Sequence, residues 1–322
     1  MEKKGVFIIP YYGSFKNYHK FFLESCGHNP DYDWLFITDN KEDYDYPTNV
    51  KKITLPFSEL VRLVHSKFST QVELKYAYKL CDLKPMYGYI FEDYIKSYQF
   101  WGHCDTDMIF GSINDFISDD DIIEFDKIGV LGHFTLYKNN EQVNKAFMLP
   151  LSGVQRYKEV LAADYNMSFD EENKASINSI FDTYDFKVKK DLKLAGLYTK
   201  TSNFKLTYPN QDWEYIVEKK RKNIFVWDNG VLNRLCVDNK NKTVKTEEYL
   251  YIHFQSRKMK VQTSNHKIYK LIPNSFDDLE MPESKIDYYN FPKSKHFNLH
   301  YFRLRTHNLL DKMRKKIMRT KR

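Results

Sequence analysis

Short, unbroken apolar runs alternate with helix-like stretches through the first third of this chain. That alternation restricts its fold more than any other feature. The run "GVFII" reads as a strand covered on both faces, bounded by Pro10 and Gly13. Ser14 is placed to cap a helix in which Tyr18, Phe21, Phe22 and Cys26 form one stripe. "DWLFITDN" reads as a second strand ending in Thr38, Asp39 and Asn40, and "VKKITLPF" as a third. A helical region spans about Ser58 to Ile95, broken near Pro85 and Gly88, before "YQFWGHC" returns to strand. Strands interleaved with helices predict a parallel sheet, whose ligands sit beyond the carboxyl ends of its strands. Tyr11, Tyr12, Thr38 and Asp39 stand at two such ends.

Further along, "DKIGVLGHFTLYKN" reads as one or two strands and "LSGVQRYKEVLAADYN" as a helix. "FVWDNGVLNRLCV" predicts a hairpin around Asn229-Gly230, and "EYLYIHFQ" a late strand. From Pro273 onward the pattern loosens into a tail punctuated by Pro and Ser, which ends in a basic segment. There is no internal repeat and no low-complexity linker.

"YQFWGHC" delivers two acids, Asp105 and Asp107, to the carboxyl end of its strand, with apolar residues on both flanks. Acidic side chains are strand-poor and costly to bury. Alternate residues on an extended strand point to opposite sides, but where the backbone bends at a strand end both carboxylates can approach one ion. Hard divalent cations take oxygen ligands. A Mg²⁺ or Mn²⁺ held this way can bridge two phosphates of a nucleotide and neutralise a departing diphosphate. The plainer alternative is a turn that happens to contain two aspartates.

"HCDTDMIFG" resembles the DxD motif of glycosyltransferases with the GT-A fold, which use nucleotide-sugar donors and commonly a divalent metal. The order of parts is similar over about residues 5–255. The stretch "LCDLKPMYGYIFEDYIKSYQFWGHCDTDMIFGSI" also resembles bacterial capsule and exopolysaccharide glycosyltransferases. The resemblance implies an α/β fold with a GT-A-like (Rossmann-like), mostly parallel central sheet flanked by helices, followed by a helical basic C-terminal extension. It implies a catalytic domain over residues 1–272 and an extension over 273–322. Residues 1–111 would then be the nucleotide-sugar-binding half and 112–272 the acceptor-binding half. Pro10, Tyr11 and Tyr12 in "FIIPYYGS", with Thr38 and Asp39 in "FITDN", would hold the nucleotide. Asp105, Thr106 and Asp107 would meet the donor diphosphate. Asp105 and Asp107 would bind Mn²⁺ or Mg²⁺, with His253 of "YIHF" as third ligand. Asp170 and Glu171 in "MSFDEEN" resemble the family's xED motif, and one of them as general base would make the reaction inverting. The implied reaction moves a sugar from a UDP-sugar to a saccharide or lipid-linked oligosaccharide acceptor in bacterial surface polysaccharide synthesis.

Each of these residues also has a plainer role open to it. Ser168 with Glu171 fits a capping box at a helix start. His253 can be a packed strand histidine. Lys84-Pro85 can be a helix break, or Lys84 can reach a donor phosphate as a point charge. His103 and His133 can bind sugar hydroxyls or simply pack. Asp212 and Glu214 in "QDWEY" are a second acidic pair able to supply the base.

Two rival functions use the same features. Phosphatases of the haloacid dehalogenase type also place DxD at a strand end. However, "DTDMI" lacks their usual Thr or Val two places after the second Asp, and a full strand-helix-strand unit precedes it here. A non-catalytic basic protein is the other rival. No recognisable nucleic-acid-binding motif is present, and nucleic acid is not an expected partner.

Composition narrows the setting. With 322 residues, of which 42% are hydrophobic, a sizeable core is available. The four cysteines (Cys26, Cys81, Cys104, Cys236) form no CxxC pair, which suits reduced thiols in a cytosolic protein. The opening "MEKKGVFIIPYYG" is too short an apolar run for a signal peptide or a bilayer span. The net charge of +7 is concentrated at the C-terminus. There Phe302, Leu309, Leu310, Met313 and Ile317 can share one helical face, and Arg303, Arg305, Lys312, Arg314, Lys315, Lys316, Arg319, Lys321 and Arg322 fill the rest. That is the pattern of a basic amphipathic helix on an anionic membrane, or of a helix packed on the core with a solvated basic face. The expected location is cytoplasmic, peripheral to the inner face of the cell membrane.

Overall fold

Connection length decides which strands of this chain run parallel. A parallel neighbour needs a long crossover, whereas a loop of a few residues returns the chain antiparallel. The computed structural model describes residues 3–171, 174–199, 201, 203–210 and 214–295, with Phe302, Thr306 and Leu310. These residues group into two compact units. The first runs up to Phe15 and includes Asn29–Thr106 and Asn114–Leu192; the second holds Lys16–His28, Asp107–Ile113 and the chain from Lys193.

The first unit is built on a seven-stranded sheet. Its order is Val50–Thr54, Tyr32–Thr38, Gly5–Pro10, Phe100–Cys104, Phe134–Lys138, Lys127–Leu131 and Val188–Lys189. The first four strands are mutually parallel. Only two residues, Gly132 and His133, join Lys127–Leu131 to Phe134–Lys138, so this pair is antiparallel, as is Phe134–Lys138 against Phe100–Cys104. The expected helical region opens with Phe57–Lys67. It then breaks into short turns through Leu80–Leu83, Lys84–Met86, Tyr87–Ile90 and Glu92–Ile95. Leu83, Met86, Tyr87, Ile90 and Trp101 pack there in one buried cluster. Gly88 is required in it, because a Cβ would fall 2.2 Å from the Trp101 ring.

The second unit is dominated by antiparallel pairing. A six-stranded sheet runs Thr243–Glu248, Val231–Asp238, Asn223–Asp228, Ile268–Ile272, Ser275–Asp277 and Lys260–Val261. The expected hairpin is present, with Asn229 and Gly230 both at positive φ, as a two-residue primed turn requires. A three-stranded sheet holds Met108–Phe110, Tyr251–His253 and Ala195–Gly196, and Thr207–Pro209 pairs with Tyr215–Val217. The helix His19–Gly27 belongs to this unit; Tyr18 and Phe21 pack with Tyr269 and Phe276 in its core.

These findings correct the expected fold class. Among the described residues the strands divide among four sheets, the largest is mixed, and a single GT-A-like, mostly parallel central sheet does not form. Apolar continuity in a strand reports burial on both faces, not direction, and the Gly132-His133 connection is too short for a crossover. Two local expectations fail as well. The first helix begins at His19 with no side-chain cap, because a turn from Lys16 C=O to His19 N–H precedes it, so Ser14 does not cap it. The chain beyond Pro273 is not a loose tail: Ser275–Asp277 pairs with both Ile268–Ile272 and Lys260–Val261. Of the basic C-terminal helix, Phe302, Thr306 and Leu310 are helical, with Phe302 and Leu310 exposed; its other named positions lie outside the described residues. Among the described residues, no helix is long and apolar enough to cross a membrane.

Candidate functional site

Three adjacent parallel strands, Gly5–Pro10, Tyr32–Thr38 and Phe100–Cys104, present their carboxyl ends at one edge of the first sheet. Pro10, Tyr11, Tyr12, Thr38, Asp39 and Asp105 therefore share that edge. The backbone there is closely tied. Tyr11 N–H donates to Ile37 C=O at 2.9 Å, and Asn40 donates to Gly13 C=O at 2.7 Å. Tyr12 donates its hydroxyl to Leu55 C=O at 3.1 Å, and burial, then the Asp39 charge, raises its pKa. Thr38 is buried and Asp39 exposed.

Lys84 organises the acids of this unit. Its ammonium donates to Asp105 Oδ1 and to Gly132 C=O, each at 2.8 Å, and lies 3.3 Å from Asp170 Oδ2. Burial works against the Lys84 charge, yet Asp105 and Asp170 hold its pKa well above the usual value. One lysine cannot neutralise two carboxylates in a desolvated place. Burial pushes Asp170 up to about 7; Lys84 opposes this, and the charges of Glu171 and Asp105 add to it. Such a group exchanges protons near neutrality, as a general acid or base must. Gly132 makes room for it: a Cβ would stand 2.7 Å from Asp170 Oδ2. The Lys84-Pro85 break therefore coexists with a polar role for the Lys84 side chain.

After Asp105 the backbone bends at Thr106 and Asp107 before the next strand, Met108–Phe110, begins. His253 is paired with Met108 in the antiparallel register, and Phe254 N–H donates to Asp107 C=O at 2.9 Å. This register sets His253 Nε2 3.1 Å from Asp107 Oδ1. Asp107 Oδ2 accepts the amide N–H of Ser256. Burial raises the Asp107 pKa, but His253, the Ser256 amide and the Lys16 charge outweigh it and hold the carboxyl at about 2. The amide is aimed by a tight turn in which Gln255 (φ 49°) and Ser256 (φ 57°) are both left-handed, closed by Arg257 N–H to Phe254 C=O. Two successive non-glycine residues in this region are strained, and such strain collects at functional sites.

One donor atom each from Asp105, Asp107 and His253 lie within 4.8 Å of one another, the group of this kind found among the described residues. Two carboxylate oxygens and one imidazole nitrogen, with no thiolate among them, are donors of the kind divalent cations take.

The other sequence candidates separate from this group. Glu171 is exposed, and its N–H closes a turn to Ser168 C=O. No helix starts at Ser168; the next begins at Ile177, capped by Ser176, so the capping-box alternative fails. His103 is buried between the Tyr87 and Tyr137 rings, a packing role, while the His133 carbonyl accepts Asp105 N–H. Asp212 lies outside the described residues; Glu214 is exposed in the second unit, and its N–H donates to Asn210 Oδ1. Sequence reasoning missed the Gln255-Ser256 turn, because "HFQSR" carries no Gly, Asn or Asp to mark left-handed backbone. It also missed the carboxyl-accommodating role of Gly132.

Among curated proteins none matches this chain. Residues 7–280 match the profile of a family of unknown function, DUF6625, and with so much of its length covered the chain belongs to that family.

Proposed function

We propose that this protein is a metal-dependent glycosyltransferase that moves a sugar from a nucleotide-diphosphate donor to a hydroxyl of a saccharide acceptor. The observation that carries the reading is the grouping of Asp105, Asp107 and His253, in which Asp105 shares the Lys84 ammonium with Asp170, a buried acid raised to about 7. A bound Mn²⁺ or Mg²⁺ would supply charge neutralisation for the departing diphosphate. Asp105, Asp107 and His253 would hold it, and Ser256 N–H keeps Asp107 oriented. Lys84 fixes Asp105 and limits the charge felt by Asp170. Asp170 takes the proton of the acceptor hydroxyl, and a single in-line displacement of this kind inverts the anomeric centre. Uridine as the base and a lipid-linked acceptor rest on the family resemblance of the sequence. Attachment of the C-terminal helix to an anionic membrane rests on its sequence pattern.

The test is a thermal-shift screen of nucleotide sugars with and without Mn²⁺, followed by assay of nucleoside diphosphate release. A bound donor raises the melting temperature in proportion to its affinity and concentration. The expected result is a metal-dependent shift with one UDP-sugar and release of UDP. Release of inorganic phosphate from simple phosphate esters, with no response to any nucleotide sugar, would overturn the proposal in favour of a phosphatase.

A further inference from the structure

The segment that ends in Asp170 is held by a buried ion pair. Lys79 and Asp82 sit one helical turn apart with side chains 1% and 0% exposed, at 2.7 Å. Among the described residues, the other side-chain bonds of these two groups reach one loop. Lys79 Nζ donates to Tyr165 C=O at 2.7 Å. The two Asp82 oxygens accept separate backbone amides, Met167 N–H at 2.8 Å and Phe169 N–H at 3.1 Å. Between those amides Ser168 is left-handed (φ 52°), with its N–H on Asn166 Oδ1 at 3.0 Å. Phe169 is buried in the hydrophobic core and its carbonyl accepts Ile177 N–H at 3.0 Å. Asp170 is the next residue, against Gly132 and Lys84.

A fully desolvated pair is a weak source of stability, since well-packed apolar residues commonly do as well. What an apolar pair cannot do is bind three backbone groups of a strained loop at fixed positions. We propose that Asp82, with Lys79, is a positioning residue whose task is to fix the 165–169 loop so that the Asp170 carboxyl stays beside Lys84 and Gly132. A carboxylate is needed at position 82 because two amides approach it, one per oxygen. An amide side chain there would offer one acceptor and turn a second donor against the other N–H.

This inference rests on the proposed role of Asp170 in transfer, and its test separates the two. Asp82→Asn leaves Lys79 buried without its partner and can unfold the chain, so the Lys79→Met/Asp82→Asn double variant, which removes both charges, is examined alongside. The measurements on full-length protein are amide hydrogen exchange at Met167 and Phe169, Mn²⁺ affinity by calorimetry, and UDP release from UDP-glucose and UDP-galactose. The expected result is at least tenfold faster exchange at one or both amides and at least tenfold lower kcat, with Mn²⁺ affinity unchanged within twofold and a cooperative melt retained. Asp82→Glu, which keeps two acceptor oxygens, should recover part of the loss. Unchanged exchange at both amides in the double variant overturns the proposal, as does a kcat loss matched by loss of Mn²⁺ affinity. If the wild type releases nucleoside diphosphate from none of the nucleotide sugars of the thermal-shift screen, the reading of the reaction fails. The clamp is then decided by exchange at Met167 and Phe169 together with the ¹³C carboxyl shift of Asp170, which must move in the double variant.

Discussion

Gly132 and Asp170 stand so close that no side chain fits between them: a Cβ at position 132 would lie 2.7 Å from Asp170 Oδ2 and 3.0 Å from Glu171 Cγ. The Gly132 carbonyl also accepts the Lys84 ammonium that faces the same carboxylate. Gly132→Ala must therefore push Asp170 away from Lys84 or shift the strand connection itself. Overpacking of this kind destabilises by about 1–3 kcal/mol. The expected outcome is a lowered melting temperature together with a fall in turnover larger than the stability loss explains. A variant with wild-type melting and turnover would show that Asp170 yields freely and is not held in place.

Divalent metal should bind where Asp105, Asp107 and His253 converge. Calorimetry with Mn²⁺ should give one site in the wild type. Asp107→Asn and His253→Ala should each weaken it by an order of magnitude or more, since even residues that only orient a ligand alter affinity about 10–100-fold. Excess chelator should abolish transfer. Equal Mn²⁺ affinity in wild type and Asp107→Asn would remove the metal from this site.

Much of this site was legible because it sits where a local rule is broken. Acids at the end of an apolar strand stand out and single out Asp105 and Asp107, whereas His253 is reached only through the resemblance to DxD glycosyltransferases. Strand existence was readable from apolar runs such as "GVFII" and "DWLFITDN". Strand direction was not, since residue burial is the same either way and only loop length discriminates. The loop carrying Asp170 looked like a helix start, because Ser168 and Glu171 have the right spacing. Its true anchor, Asp82, lies more than eighty residues away, and no local pattern announces it.

Relief of the turn beside Asp107 is a third test. Gln255 is left-handed at φ 49°, a conformation costing a non-glycine residue about 1–2 kcal/mol. Glycine is free of that strain but loses more entropy on folding. Gln255→Gly should therefore raise stability by about 1 kcal/mol or less, measured by urea unfolding. Because Ser256 N–H positions Asp107, the same change should weaken Mn²⁺ binding as the turn loosens. A destabilised variant would show that the Gln255 side chain contributes more than its backbone strain removes.

His19 should make folding sensitive to mild acid. It is 1% exposed, stacked on Phe22, and burial lowers its pKa to about 4. In the unfolded chain it titrates near 6.5, so between about pH 4 and 6.5 the unfolded state binds more protons than the folded one. Stability must then rise with pH across that window, by on the order of 3 kcal/mol in total, and stay flat above it. His19→Phe should remove this slope. An unchanged slope in the variant would place its origin in another group.

Asp170 should act in the opposite sense. Its carboxyl is raised to about 7, from an unfolded value near 3.9. Between those values the folded state holds the extra proton, so this residue's contribution is fullest below the unfolded pKa and is lost as pH rises through 7. Asp170→Asn mimics the protonated form at every pH and leaves Lys84 its bond to Asp105. Relative to wild type, the variant should gain stability steadily from pH 4 to 7 and then level off, while transfer is abolished across the range. A stability difference independent of pH would mean that Asp170 is ionised throughout, and the proton acceptor in transfer would have to be sought elsewhere.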